Sequence, residues 1–335
     1  MLTIRHELPK GLLDLEAHEL YKKLEGPTLF HLEGRRKPPL FVSVLLHGNE
    51  PVGWEAVRSL LGQYQNRPLP RALSLFVGNI AAARYRLRRL DSQPDHNRIW
   101  TPGPTQEHAM AAQVYEEMSK SGLFASIDIH NNTGLNPHYA CVNKLASPFL
   151  HLAALFSRTV IYFVRPQGVQ SLSFAELGPA VTLECGQPDC PQGVTHAREY
   201  LTACLHLAEF PSHSIAKRDI ELFHTVAVVR IPSELRVGFH GEDLDLRLVD
   251  DLDQLNFQEL PANTLLGWQP SDPNILLTVT DEQDLEISER YFYLEDNELR
   301  TRRPVMPSML TRDVRVIRQD CLCYLMERMQ LPGTP

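Results

Sequence analysis

The sequence contains no C-x-x-C pair, no tandem repeat, no low-complexity tract and no apolar run long enough to cross a bilayer. A membrane-spanning helix takes roughly 20 predominantly apolar residues, so no membrane association is expected. The start, MLTIRHELPKGLLDLEAHEL, has no apolar stretch behind a basic segment as a secretory signal would. The expected location is the cytoplasm. Cys141, Cys185, Cys190, Cys204, Cys321 and Cys323 show no disulfide-rich spacing and read as small buried apolar residues. An excess of positive charge is missing too. The formal net charge is -8, which argues against nucleic acid as a partner. One short basic run, at residues 84 to 89, stands out against that background.

What remains is an ordinary globular composition, 43% hydrophobic and 22% charged over 335 residues, enough chain for a sizeable core and two domains. Up to about Pro211, apolar β-branched runs alternate with amphipathic stretches. The runs are LFVSVLL (40 to 46), LSLFVGN (73 to 79), SIDIH (126 to 130), TVIYFV (159 to 164) and AVTLEC (180 to 185). Continuous apolar character marks strands covered on both faces. The intervening WEAVRSLLGQYQ, QEHAMAAQVYEEMSK, PFLHLAALFSR and AREYLTACLHLAEF carry helical patterns. This succession predicts an α/β fold, a mostly parallel mixed sheet with helices on both faces. Beyond it ELFHTVAVVRIP, LRVGFH, ILLTVT and RYFYLE read as strands between acidic turns, and only DCLCYLMERMQ has a helical pattern. The expected domains are 1–212, an α/β catalytic domain, and 213–335, a smaller β-rich domain near the active-site mouth.

The polar residues with chemical potential fall at strand ends. His47, Gly48, Asn49 and Glu50 follow the first long strand, Asn79 ends the second, Asp128 and His130 close SIDIH, and Glu184 lies near the end of AVTLEC. Sites in open α/β sheets gather outside the carboxyl ends of strands. H-x-x-E after a strand presents two ligands to one metal, and a third ligand from another strand leaves room for water; two histidines and a carboxylate make an established catalytic zinc set. The competing reading is that His47 and Glu50 only cap the helix starting near Pro51, where an acidic residue is favoured by the dipole. Asp128 shares a strand face with His130, and either orients a ligand imidazole or serves a local turn.

HGNE (47 to 50), GN (78 to 79), DHNR (95 to 98), DIH (128 to 130) and LECG (183 to 186) together resemble the succinylglutamate desuccinylase/aspartoacylase family of the zinc carboxypeptidase superfamily. LDQLNFQELPANTLLGW (252 to 268) resembles a segment of that family's second domain, so the resemblance runs from about residue 38 to 310. It implies that His47, Glu50 and His130 hold Zn2+, that Glu184 is general base and acid, and that Asn97 and Arg98 contact substrate. It also implies an upstream arginine, for which Arg89 is favoured over Arg88. The remaining arginines of RYRLRRL, and Arg88 itself, read as a solvated basic face. These roles are chemically consistent: zinc lowers the pKa of water towards about 7, a nearby carboxylate moves the proton, and guanidinium groups suit a substrate carboxylate.

Two features depart from the family. Asn131, Asn132, Thr133 and Gly134 stand where a histidine–threonine step is common, beside the third ligand and facing the expected substrate, and residues 1 to 37 match nothing recognisable. The expected activity is that of a zinc-dependent amidohydrolase releasing an acyl group from an N-acyl amino acid. The alternatives are a zinc metallocarboxypeptidase acting on short peptides and a non-catalytic zinc-binding protein. The expected partner is a small acylated amino acid or short peptide, with self-association into a homo-oligomer left open.

Overall fold

The computed structural model describes residues 1–241, 243–269 and 277–331. Two compact units make up the chain. The first is built on Met1–Asn131 and His138–Leu222, the second on Asn132–Pro137 and Phe223–Gln330.

The first unit carries strands β1 (Thr3–Arg5), β2 (Thr28–Leu32), β3 (Leu40–Val44), β4 (Leu73–Val77), β5 (Ala125–His130), β6 (Tyr139–Val142), β7 (Thr159–Tyr162) and β8 (Ala180–Glu184). They lie in the order β1-β2-β4-β3-β5-β8-β6-β7. The central neighbours β4, β3, β5 and β8 run parallel, while β2 and β6 join antiparallel. Every residue of β3, β4, β5 and β8 is buried, as the unbroken apolar runs require of strands covered on both sides. The helices are α1 (Val52–Gly62), α2 (Ile80–Ala83), α3 (Gln106–Ser121), α4 (Ser147–Ala154), α5 (Gln170–Phe174) and α6 (Pro191–His206).

Strand register decides which side chains share a face. Ser43 pairs with Asp128, Asp128 with Thr182, and His130 with Glu184, so these side chains project from one side of the sheet. There α5 packs: Phe41 stacks on Phe174 at 4.5 Å, Gln170 Nε2 donates to Ser126 Oγ at 2.8 Å, and Thr182 donates to Ser171 at 2.8 Å. Helix α1 covers the opposite side, where a Cβ on Gly53 would lie 2.9 Å from Val44 Cγ1. Helices therefore clothe both faces, as the sequence pattern predicts.

In the second unit β9 (Glu221–Arg230), β17 (Cys323–Arg328) and β16 (Met306–Ser308) are neighbours, with β13 (Thr278–Asp281) also on β9. A second sheet runs β10 (Val237–Gly238), β11 (Leu246–Leu248), β12 (Leu265–Trp268), β15 (Glu298–Thr301), β14 (Phe292–Glu295). Short α7 (Ser288–Tyr291) and α8 (Val314–Gln319) accompany them. Val229, Leu246, Leu248, Phe292 and Leu299 form its apolar centre. The segment after His130 packs within this unit: Thr133 and Thr311 share a hydrogen bond of 2.7 Å, and Met309 N donates to Asn136 at 3.0 Å.

The helical expectation for DCLCYLMERMQ is overturned. Asp313 caps α8 by accepting from Arg315 N and Val316 N, and that helix ends at Gln319. Residues 323 to 328 then fill the gap between β9 and β16 as β17. Pairing with two strands outweighs local preference. Of ILLTVT, Ile275 and Leu276 lie outside the described residues, and Thr278 onward forms β13.

Candidate metal centre

Leu45, just past β3, sits in the left-handed region at φ 57°, a costly conformation for a γ-branched residue. It turns the chain sharply out of the sheet. Gly48 then passes so close to the following segment that a Cβ would lie 2.2 Å from Ala83 N and 2.7 Å from Leu87 O. Its N–H donates to Arg88 O at 3.1 Å. Only glycine fits there, and the tight passage brings His47 and Glu50 back beneath the carboxyl end of β5.

Glu50 is the centre of the arrangement. His47 Nδ1 lies 2.8 Å from Glu50 Oε1 and His130 Nδ1 lies 2.7 Å from Glu50 Oε2. One donor atom from each of the three residues falls within 4.8 Å of the other two, and all three residues are buried. The far nitrogens have carboxylate partners of their own: His47 Nε2 is 2.9 Å from Asp95 Oδ1 and His130 Nε2 is 2.7 Å from Asp128 Oδ2. With Nε2–H donating to those carboxylates, each imidazole keeps its Nδ1 lone pair for a metal. Ser43 donates to Asp128 at 2.7 Å and Arg88 Nη2 donates to Asp95 at 3.0 Å, so the supporting carboxylates are themselves held. Arg88 Nη1 also lies 3.6 Å from Glu50.

Burial alone would raise the Glu50 carboxyl, but the His47 and His130 imidazoles outweigh it and hold the group ionised. For His47, burial and the Arg88 guanidinium act downward, and Glu50 and Asp95 overcome them. Burial also acts downward on His130, where Asp128 and Glu50 win by more. Both imidazoles thus sit in a strongly negative enclosure. With neutral imidazoles the joined Glu50, Asp95 and Asp128 carboxylates outnumber the Arg88 and Arg98 guanidinium groups that act on them, which leaves the cluster net negative. A divalent cation held by His47, Glu50 and His130 would offset that charge, and the nitrogen–oxygen donor set suits zinc.

Glu184 is the in-register neighbour of His130 on β8, on the same sheet face, and only 5% exposed. It is not among the three converging donors. Burial and the Glu184 carboxylate push the Cys141 and Cys185 thiols well up, which keeps them unreactive. Five of the cysteines are buried as expected, while Cys190 is half-buried. Asn97 accepts from Gln170 N at 2.9 Å, and its Nδ2 approaches His130 Nε2 at 3.3 Å. Arg98 is half-buried beside it, and Arg89 Nη1 donates to Gln93 O at 2.9 Å.

The sequence reading missed two groups. Arg88 is no solvated surface residue: its side chain is 9% exposed and pairs with Asp95. Asp95 supports His47 across 48 residues of sequence. The DHNR string contained Asp95, but nothing local distinguished Arg88 from exposed Arg84 and Arg86. Burial draws His96, next in that string, down to about 4. Asn131 is held at both ends of its amide: Oδ1 accepts from Val52 N at 3.1 Å and Nδ2 donates to Gly186 O at 2.9 Å.

No family model matches the sequence, and no curated protein does. Solved structures do match. A succinylglutamate desuccinylase from Vibrio parahaemolyticus superposes with a TM-score of 0.60 at 15% identity, covering 89% of this chain and 85% of that one. A succinylglutamate desuccinylase/aspartoacylase from Rhodobacter sphaeroides gives 0.58 at 15% identity, over 89% and 88%. Murine aminoacylase 3 gives 0.52 at 14% identity, over 88% of this chain and 97% of that one. At such identities the likeness is one of fold, and it is the fold of the family that the five motifs resemble.

His130→Ala is expected to abolish stoichiometric zinc in the purified protein, measured by elemental analysis. Asp95→Asn and Asp128→Asn should each weaken zinc about 10- to 100-fold in competition with a chromophoric chelator. Unchanged zinc content in His130→Ala refutes the three-residue centre.

Proposed function

We propose that this chain is a zinc-dependent amidohydrolase that releases the acyl group from a small N-acyl amino acid. The observation that carries the reading is the buried His47–Glu50–His130 cluster with Glu184 as the in-register neighbour of His130. Agreement in fold with desuccinylases and an aminoacylase supports the substrate class.

His47, Glu50 and His130 would hold the zinc, which when bound would acidify water and polarise the scissile carbonyl. Glu184 takes a proton from the attacking water as its oxygen bonds to the carbonyl carbon. It then returns that proton to the nitrogen as the C–N bond breaks, giving a carboxylic acid and an amine, and the second water proton passes from the acid to the amine to leave a carboxylate and an ammonium. Asp95 and Asp128 keep the two imidazoles in the tautomer that leaves Nδ1 available. Arg98 and Arg89 bind the carboxylate of the substrate, with Asn97 beside them. The commitment of Arg88 to Asp95 and Glu50 supports Arg89 as the partner of Arg98. Restriction to small substrates is assigned to the β-rich domain.

Glu184→Gln keeps the size of the side chain but cannot accept a proton. Turnover should fall about 100- to 10,000-fold, with zinc content and KM near wild type. Zinc lost together with activity makes Glu184 a ligand instead.

Arg98→Lys keeps the charge and loses the bidentate fork. KM should rise about tenfold or more for substrates with a free carboxylate, with little change for their esters. Equal effects on acids and esters count against carboxylate recognition.

N-acyl amino acids should be hydrolysed in preference to tripeptides and longer chains. Faster cleavage of long peptides identifies a carboxypeptidase instead.

A further inference from the structure

The metal centre lies at the carboxyl ends of β3, β5 and β8. At the amino ends of β3 and β4, the far end of these strands, the first unit forms a cavity of about 250 Å³. Arg35 and Arg36 reach it from the link between β2 and β3, Tyr64 and Arg67 from the turn after α1, and His206 from the last residue of α6. Two prolines complete the lining, and none of the lining residues is acidic. Three guanidinium groups and an imidazole gathered round one cavity run against the net charge of -8.

The backbone beneath these side chains is tied down. Gly34 bridges to Leu69, Arg35 N donates to Leu69 O at 2.9 Å, and Ala72 N donates to Arg36 O at 2.9 Å. A Cβ on Gly34 would lie 2.1 Å from the Arg71 carbonyl carbon, so the two segments touch as backbone on backbone. Arg36 Nη1 donates to His206 O at 2.8 Å, which fixes one wall to the end of α6. Arg67 lies 4.4 Å over the Tyr64 ring, and its Nε donates to Gln63 O at 3.0 Å, leaving the outer edge of the guanidinium for another partner.

Behind the cavity is a further cation. Arg71 is 2% exposed. Its Nη atoms donate to the carbonyls of Pro38, Leu207 and Ala208, its guanidinium lies 3.6 Å over the Phe124 ring, and its Nε is buried with no hydrogen-bond partner. The charged group that acts on it is Arg36, which repels it. Carbonyl oxygens and an aromatic face carry only partial negative charge, so this guanidinium adds to the positive field of the cavity instead of being cancelled by a carboxylate. An arginine does not escape by losing its proton. A bound anion relieves the mutual repulsion of all four guanidinium groups, and planar guanidinium forks match the geometry of phosphate oxygens.

We propose that this cavity is a binding site, remote from the metal centre, for a small phosphate-bearing anion carrying at least two negative charges. The tyrosine ring and the prolines give the uncharged part of such a ligand an apolar wall. Helices α1 and α6 both start just after metal-centre strands, pack against each other and end at the cavity.

Inorganic pyrophosphate is the probe, titrated calorimetrically into the zinc-loaded protein, with citrate as a carboxylate of comparable charge. The expected result is saturable 1:1 binding of pyrophosphate, stronger than citrate and weakened by salt. The double variant Arg35→Ala/Arg67→Ala, both exposed positions whose replacement leaves the buried structure intact, should bind pyrophosphate about 100-fold more weakly, with an unchanged circular dichroism melt. His130→Ala should bind it as wild type does. Citrate binding as tightly as pyrophosphate makes this a general polyanion site and overturns the phosphate assignment. Binding lost in His130→Ala and kept in the double variant places the anion at the metal centre and overturns the proposal, as does absence of saturable binding.

Discussion

One carboxylate placed between two imidazoles is the constraint on which the rest depends. Glu50 can reach both His47 and His130 only if the chain leaves β3 at an acute angle and returns within three residues. The left-handed Leu45 and the crowded Gly48 are the local consequences of that demand. Strain of this kind persists only where surrounding contacts over-determine it, and here they do. Gly48 is tied to Arg88, Arg88 to Asp95, and Asp95 to His47. The loop that carries His47 and Glu50, two of the candidate donors, is thus closed on itself by Asp95, which holds His47.

The parallel order of β4, β3, β5 and β8 does the remaining alignment. Because adjacent strands keep register to their carboxyl ends, His130 and Glu184 arrive together on one face, a candidate metal donor next to a buried carboxylate outside the converging set. A stripe of polar residues runs down that same face, Ser126, Asp128 and Thr182, each paired with a neighbour. Polar side chains inside a sheet are tolerated when satisfied, and one of these, Asp128, orients a donor at the strand end.

Much of this could be read from the sequence, for a physical reason. Strands buried on both faces appear as continuous apolar runs, so β3, β4, β5, β7 and β8 stood out. Chemical residues at their ends stood out because polar groups interrupt those runs at one consistent place. The four-residue β6 and the peripheral β1 and β2 left no comparable signal. β17 was misread because apolar residues at 321, 322, 323, 325 and 326 satisfy a helical stripe as well as a strand, and only the gap between β9 and β16 decides between them. Arg88 and Asp95 acquire meaning through contacts with residues far away in the chain, which no local pattern encodes. The basic residues round the distal cavity come from three separate segments, Arg36 and His206 lying 170 residues apart, so their convergence was visible only in the fold.

The two-ended use of Asn131 bears on how the protein ages. Its carbonyl oxygen accepts from the first residue of α1 and its amide nitrogen donates to Gly186, just past Glu184. Asparagine loses its amide nitrogen slowly in solution and is among the thermolabile residues. Conversion to aspartate keeps the acceptor for Val52 but sets an oxygen against the Gly186 carbonyl, so an attraction becomes a repulsion. Such a lesion would act on the candidate site without touching a candidate donor atom or the proposed general base. A change of one mass unit at Asn131 therefore removes a bond to the loop just beyond Glu184.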